Sequence, residues 1–143
     1  MIIKTIDVLL KGRKLVSVSP EATVKDACAQ LDAHGVGALA VLRDGQLAGI
    51  LSERDVIRRC VAAGRKTGET RVRDIMSPRV VTIRRDQSLA DAQTRMIEGG
   101  FRHLPVVDDA GTPVGMLSMR DIPTEYRLMV ERFREYTALE AAQ

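Results

Sequence analysis

Tryptophan is absent from this chain, and the other rings are scarce: two Tyr and two Phe, 3% of 143 residues. So few aromatics leave little on which successive nucleic-acid bases could stack. Cysteine and histidine are equally sparse, with two of each. Cys28 and Cys60 stand 32 positions apart, and His34 and His103 stand 69 apart. No pair has metal-ligand spacing and there is no C-x-x-C, so neither zinc nor dithiol chemistry is expected. Both cysteines read as reduced thiols on helix faces. Long apolar runs are also missing; none approaches the ~20 residues of a membrane span. Met1–Leu10 is interrupted by Lys4 and Asp7 with no small-residue cleavage site after it. That segment reads as neither signal peptide nor anchor, and the expected compartment is the cytoplasm.

What is present fits a folded domain. Apolar residues make up 45% and charged residues 29%, and a chain of this length buries roughly 70% of its unfolded surface without staples. The net charge of +3 is unevenly placed. Residues 54–85 hold ten bases against Asp55, Glu69 and Asp74. Such a stretch suits an anionic partner or a solvated arginine-rich surface.

The chain is written twice. Residues 16–42 align with 81–107 at an offset of 65, and residues 45–55 with 111–121 at an offset of 66. Twelve of 38 aligned positions are identical, six of them in G-Q-L-A-G-I-L-S-E-R-D against G-T-P-V-G-M-L-S-M-R-D. Identity concentrated in one short segment marks a local task that both copies perform. Each copy predicts the same elements. A short strand (Leu15–Ser19; Val80–Arg84) leads to a helix capped by Thr23 or Ser88 and stopped by Gly35 or Gly99–Gly100. Buried strands Ala38–Leu42 and Leu104–Val107 follow, then hairpin turns at Asp44-Gly45 and Asp109–Gly111 into strands 47–51 and 113–117. Ser52 and Ser118 should then cap a further helix. Neither half can cover both faces of such a sheet, so the copies should pack as one unit.

On these residues the chain resembles a pair of CBS domains, a Bateman module. The likeness rests on Gly49–Asp55 and Gly115–Asp121, on Arg102-His-Leu-Pro-Val106, and on the doubled arrangement, and it covers roughly residues 5–122. It implies an α+β fold of two β-α-β-β-α units packed through their sheets, followed by a C-terminal helix. The expected division is a lead-in at 1–14, motifs at 15–63 and 80–122, a linker at 64–79 and an amphipathic helix at 123–143.

The repeated segment has its own chemistry. A strand ending at Leu51 and a helix starting at Ser52 leave free N–H groups and a positive dipole end, which suit an anion. One turn in, Asp55 is a carboxylate able to accept two hydrogen bonds from a ribose diol. Ser118 and Asp121 repeat the pattern, although S-x-x-D is also an ordinary capping box. The resemblance implies that Asp55 and Asp121 hold the ribose of an adenosine nucleotide (AMP, ADP, ATP or NAD) in clefts between the motifs. It further implies that Met76, Val81, Phe101, Arg102 and His103 wall the Asp55 site, with Arg58 and Arg59 as helpers on phosphate. Val16, Val36, Gly37 and Ala38 would wall the Asp121 site, which lacks charge there and has Arg120 beside the aspartate. Gly35-Val-Gly-Ala-Leu-Ala40 mimics a dinucleotide fingerprint, but it follows a helix and opens a strand, the reverse of what that motif requires.

Pro123 should end the second capped helix and start another. From there Tyr126, Met129, Val130, Phe133, Tyr136 and Leu139 form one helical stripe, for the chain's own core or for a homodimer contact. The expected function is non-catalytic signal transduction: a regulatory homodimer that senses an adenosine ligand and acts on a partner protein. No membrane role, obligatory cofactor or catalytic residue is expected. Nucleic-acid binding through residues 54–85 and a small enzyme are the alternatives, and both lack a recognisable motif.

Overall fold

A computed structural model describes residues 5–78 and 80–142 of the chain. Copy 1 runs β1 (Ser17–Val18), α2 (Val24–His34), β2 (Ala38–Arg43), β3 (Gln46–Ser52) and α3 (Glu53–Asp55), preceded by helix α1 (Ile6–Leu10). From Val56 to Val61 the α3 helix continues with π winding. Copy 2 runs β4 (Ile83–Arg84), α5 (Leu89–Gly99), β5 (His103–Val107) and β6 (Pro113–Ser118), preceded by α4 (Val72–Ile75) and followed by α6 (Thr124–Ala141). The fold is α+β, with two three-stranded sheets in the orders β1-β2-β3 and β4-β5-β6. In each, the first pair is parallel and the second antiparallel.

The caps follow the sequence. Thr23 Oγ1 accepts from Asp26 N–H, and Ser88 Oγ from Asp91 N–H. Gly35 and Gly100 end α2 and α5 at φ 60° and 70°, the left-handed region that glycine enters without steric cost.

Both first strands span only two residues, and β4 begins one repeat position later than β1. In copy 1 Ala40 N–H donates to the Val16 carbonyl. Its counterpart is Pro105, which has no N–H to offer Val81, so that rung cannot form. The helix expected after Ser118 is also reduced, to a single 3₁₀ turn over Met119–Asp121. Pro123 disfavours helical geometry at the residue before it, and Ile122 is extended at φ −82°, ψ 122°. Helix α6 then starts at Thr124 and closes copy 2, with Tyr126 buried in its core and Val130 packed against it. Met129, Phe133, Tyr136 and Leu139 of the same stripe stay exposed.

The lead-in and the linker exchange places. Helix α1, which precedes copy 1, buries Ile6 in the core of copy 2. Helix α4, which precedes copy 2, buries Val72 and Ile75 in the core of copy 1. Gly49 and Gly115 carry no side chain where these segments cross the sheets. A methyl at Gly115 would stand 2.9 Å from a Leu10 methyl. Ion pairs brace the crossings: Arg73 to Glu21 at 2.6 Å and Asp7 to Arg85 at 2.8 Å. The units are thus interlocked, with β2 of one lying against β6 of the other.

Candidate functional site

Where the two sheets meet, a cleft of about 1160 Å³ runs between both S-x-x-D turns. At one end Ser52 N–H and Oγ both donate to Asp55 Oδ2, at 2.9 and 3.1 Å, while Ser52 Oγ accepts from Asp55 N–H. This reciprocal box fixes the buried carboxylate at the helix start. Among the described residues, Asp55 Oδ1 has only Arg59 Nε nearby, at 3.8 Å. The Arg59 guanidinium is held elsewhere, donating to the Ile75 and Met76 carbonyls at 3.3 and 3.2 Å.

The other end is built the same way but filled differently. Ser118 N–H donates to Asp121 Oδ2 at 2.7 Å. The other oxygen, Oδ1, accepts from Arg13 Nη1 at 2.8 Å, and the Asp121 side chain is only 15% exposed. Arg13 lies in the lead-in, 108 residues away, and nothing in the sequence links it to Asp121. Lys14, Glu53 and Arg54 also line the cleft and were not singled out from the sequence.

Strand register places the basic pair. His103 stands opposite Ser118, as Ala38 stands opposite Ser52. Arg102 carbonyl accepts from Met119 N–H at 2.8 Å, as Gly37 carbonyl accepts from Glu53 N–H at 3.0 Å. The main chain of Arg102 and His103 therefore flanks the Asp121 turn, and that of Gly37 and Ala38 flanks the Asp55 turn. The imidazole then crosses to the other copy: a methyl on Gly37 would stand 3.1 Å from His103 Nε2 and 3.2 Å from Glu53 Oε1. Both ends open into the one cleft. Partial burial holds the His103 pKa below its ordinary value. Glu53 and Asp121 oppose that shift, while Arg102 and Arg120 add to it.

Of the expected site residues, Val16, Val36, Gly37, Ala38, Ser52 and Asp55 face this cleft from copy 1. Val81, Phe101, Arg102, His103, Ser118 and Asp121 face it from copy 2, and Arg120 joins them. Two do not. Met76 packs on the core of copy 1 against Gly49, and Arg58 is exposed outside the cleft while its neighbour Arg59 lines it. Arg59 stands four residues after Asp55 and is held on that side by the Ile75 and Met76 carbonyls. Among the described residues no cluster of His, Cys, Asp and Glu is arranged to hold a metal. No helix among them is long and apolar enough to cross a membrane.

The expected nucleic-acid stretch has much of its charge engaged. Arg65 pairs with Asp74 at 3.8 Å, Arg84 with Asp86 at 3.2 Å, and Arg73 and Arg85 hold the crossings.

Comparison with known proteins agrees with this architecture. The family model for the CBS domain matches residues 7–62 and 72–125. The mitochondrial CBS domain-containing protein CBSX3 of Arabidopsis thaliana is 36% identical over 118 residues, covering 79% of this chain and 55% of its own. The CBS domain-containing protein YhcV of Bacillus subtilis is 36% identical over 109 residues, 76% of each chain. This chain spans little more than half the length of the Arabidopsis relative, and 57% of a relative from Methanopyrus kandleri. Among solved structures, a CBS-domain containing protein from Agrobacterium tumefaciens superimposes with a TM-score of 0.75 at 30% identity, covering 92% of this chain and 99% of its own. A CBS domain protein from Pyrobaculum aerophilum, complexed with AMP, gives 0.79 at 27% identity, covering 91% and 99%. With two matched motifs, two matched S-x-x-D turns and this shared fold, the chain belongs to the CBS-domain family, as a tandem pair.

Proposed function

We propose that this chain is a non-catalytic regulatory module of the signal-transduction type that takes an adenosine nucleotide into the central cleft. The observation that carries this reading is the pair of carboxylates, Asp55 and Asp121, fixed at equivalent strand ends and facing one cleft with Arg102, His103 and Arg120. A ribose diol offers two donors to a carboxylate, and a phosphate takes charge-assisted hydrogen bonds from guanidinium and imidazole. AMP in the Pyrobaculum relative supports the same ligand class, AMP, ADP, ATP or NAD, for this chain.

The module works as a cytoplasmic homodimer and conveys ligand state to a partner protein. A ligand can shift such an equilibrium only by its difference in affinity for the two states. The interlocked α1 and α4 provide a route, since each crosses from one copy to the core of the other. The deciding experiment is mass spectrometry of small molecules released from purified protein, paired with melting in AMP, ADP, ATP and NAD. A released adenosine compound and a raised Tm support the reading. No released compound, together with an unmoved Tm at millimolar ligand, overturns it.

A further inference from the structure

The two ends of the cleft differ in one contact that the duplication does not account for. Both carboxylates are fixed through one oxygen by their own serine. Among the described residues, the second oxygen of Asp55 has no partner closer than Arg59 Nε at 3.8 Å, whereas that of Asp121 takes a 2.8 Å hydrogen bond from Arg13. The Arg13 guanidinium thus occupies the acceptor that a ribose hydroxyl would use at that end.

We propose that Arg13 is a specificity latch: it covers Asp121 and releases it only to ligands that carry an anionic group for the guanidinium to take instead. The proposal rests on the adenosine-ligand reading of the cleft and adds a selection rule to one end of it.

The physical argument turns on what replaces the ion pair. A neutral nucleoside that displaces Arg13 hydrogen-bonds Asp121 but leaves the guanidinium with water alone. A nucleotide entering the same end brings its own anion. Arg13 is half-exposed on the segment between α1 and β1, and Gly12 beside it sits at φ 77°, so the guanidinium is carried on a turn rather than a packed helix. Lys14 and Arg120 line the same cleft and add positive potential, but neither pairs with Asp121. Loss of bulk positive charge and loss of the latch therefore make different predictions. The first weakens nucleotide binding and leaves the nucleoside alone. The second weakens the nucleotide and strengthens the nucleoside.

The test is calorimetric titration of full-length protein with AMP and with adenosine. Wild type is titrated first, and then Asp55→Ala, in which the Asp121 end alone reports. Arg13→Gln and, separately, Lys14→Gln are added to Asp55→Ala. The expected result for Arg13→Gln is adenosine binding about threefold or more tighter and AMP binding about tenfold weaker, with Lys14→Gln leaving adenosine unchanged. Shifts of both ligands in the same direction, or neither moving, overturn the latch. So does an Asp55→Ala protein that binds neither ligand while wild type binds AMP, because the Asp121 end is then no site, though the adenosine reading stands. A wild type that binds neither compound overturns that reading and the latch with it. Opposite shifts in two ligands cannot come from misfolding, which weakens both.

Discussion

The Met76 thioether covers Gly49 so closely that a methyl at position 49 would stand 2.8 Å from its sulfur and 2.9 Å from the Ser77 carbonyl oxygen. The Ser77 backbone cannot retreat easily, because it exchanges two hydrogen bonds with Ile50 at 2.9 and 3.1 Å. Gly49→Ala should therefore destabilise the protein by about 1–3 kcal/mol, the usual cost of overpacking. At the equivalent Gly115 the nearest atoms all belong to the Leu10 side chain, which can turn away. Gly115→Ala should cost less than half as much, read from the midpoints of urea unfolding. Equal costs would mean that the backbone contact does not matter.

The open second oxygen of Asp55 leads to a binding asymmetry. A charge-assisted hydrogen bond to a buried ligand group is worth about 1.5–3 kcal/mol, or one to two decades in affinity. Asp55→Ala should weaken AMP binding at least tenfold. Asp121→Ala should do markedly less, since that carboxylate already holds Arg13. Calorimetry with AMP decides between them, and equal losses would contradict the asymmetry.

Arg102 is exposed at the cleft wall, with its main chain tied to Met119. Arg102→Ala should lower AMP affinity by about tenfold and adenosine affinity by less than twofold, because only AMP carries the phosphate. A comparable loss for both ligands would show that the side chain shapes the cleft rather than reading its anion.

His103 ties pH to stability. Its pKa is depressed by burial from an ordinary value of 6.5. Above that value the imidazole is neutral in folded and unfolded chains alike, and its contribution is fully present. As pH falls through the unfolded value the unfolded chain takes up the proton first, so stability drops until the folded value is passed. Wild type should therefore lose more Tm than His103→Gln between pH 7.5 and 5.5. Parallel losses in the two proteins would show that the imidazole is not a source of the acid sensitivity.

Phe133 is 71% exposed and Leu139 66%, on the same helix that buries Tyr126 at 7%. Exposed apolar faces of this kind mark contact surfaces. If the homodimer forms through α6, Phe133→Ser with Leu139→Ser should convert it to monomer by light scattering. These substitutions are a cleaner test than removing residues 123–143, which would take Tyr126 out of the core of copy 2. A wild-type monomer, or a dimer that survives both changes, sinks the α6 interface.

Much of this arrangement is readable in the chain itself. The repeat offset, the cap residues Thr23, Ser52, Ser88 and Ser118, and the stops at Gly35 and Gly100 are local signals. Each depends on a few neighbouring residues and on the backbone geometry they allow. They are enough to set the order of elements from the first strand to the serine turn of each copy, the doubled architecture and both candidate carboxylates, but not the helices α1 and α4. The later start of β4 was in principle legible too, since Pro105 removes its hydrogen bond wherever it sits.

Other features depend on which distant segments meet. The sequence could not show that residues 5–14 belong with copy 2 and residues 71–77 with copy 1, because that exchange is decided by burial of Ile6, Val72 and Ile75 against surfaces far along the chain. Nor could it single out Arg59 over Arg58, since Arg59 is held by two carbonyls at Ile75 and Met76 that only the fold brings beside it. The Arg13–Asp121 pair is the clearest case, since its partners are 108 residues apart and share no motif. Hydrogen-bonded caps and turns are set by covalent neighbours, so the sequence determines them. Ion pairs and side-chain packing between segments are set by the distances that the folded chain imposes, and only the tertiary structure decides those.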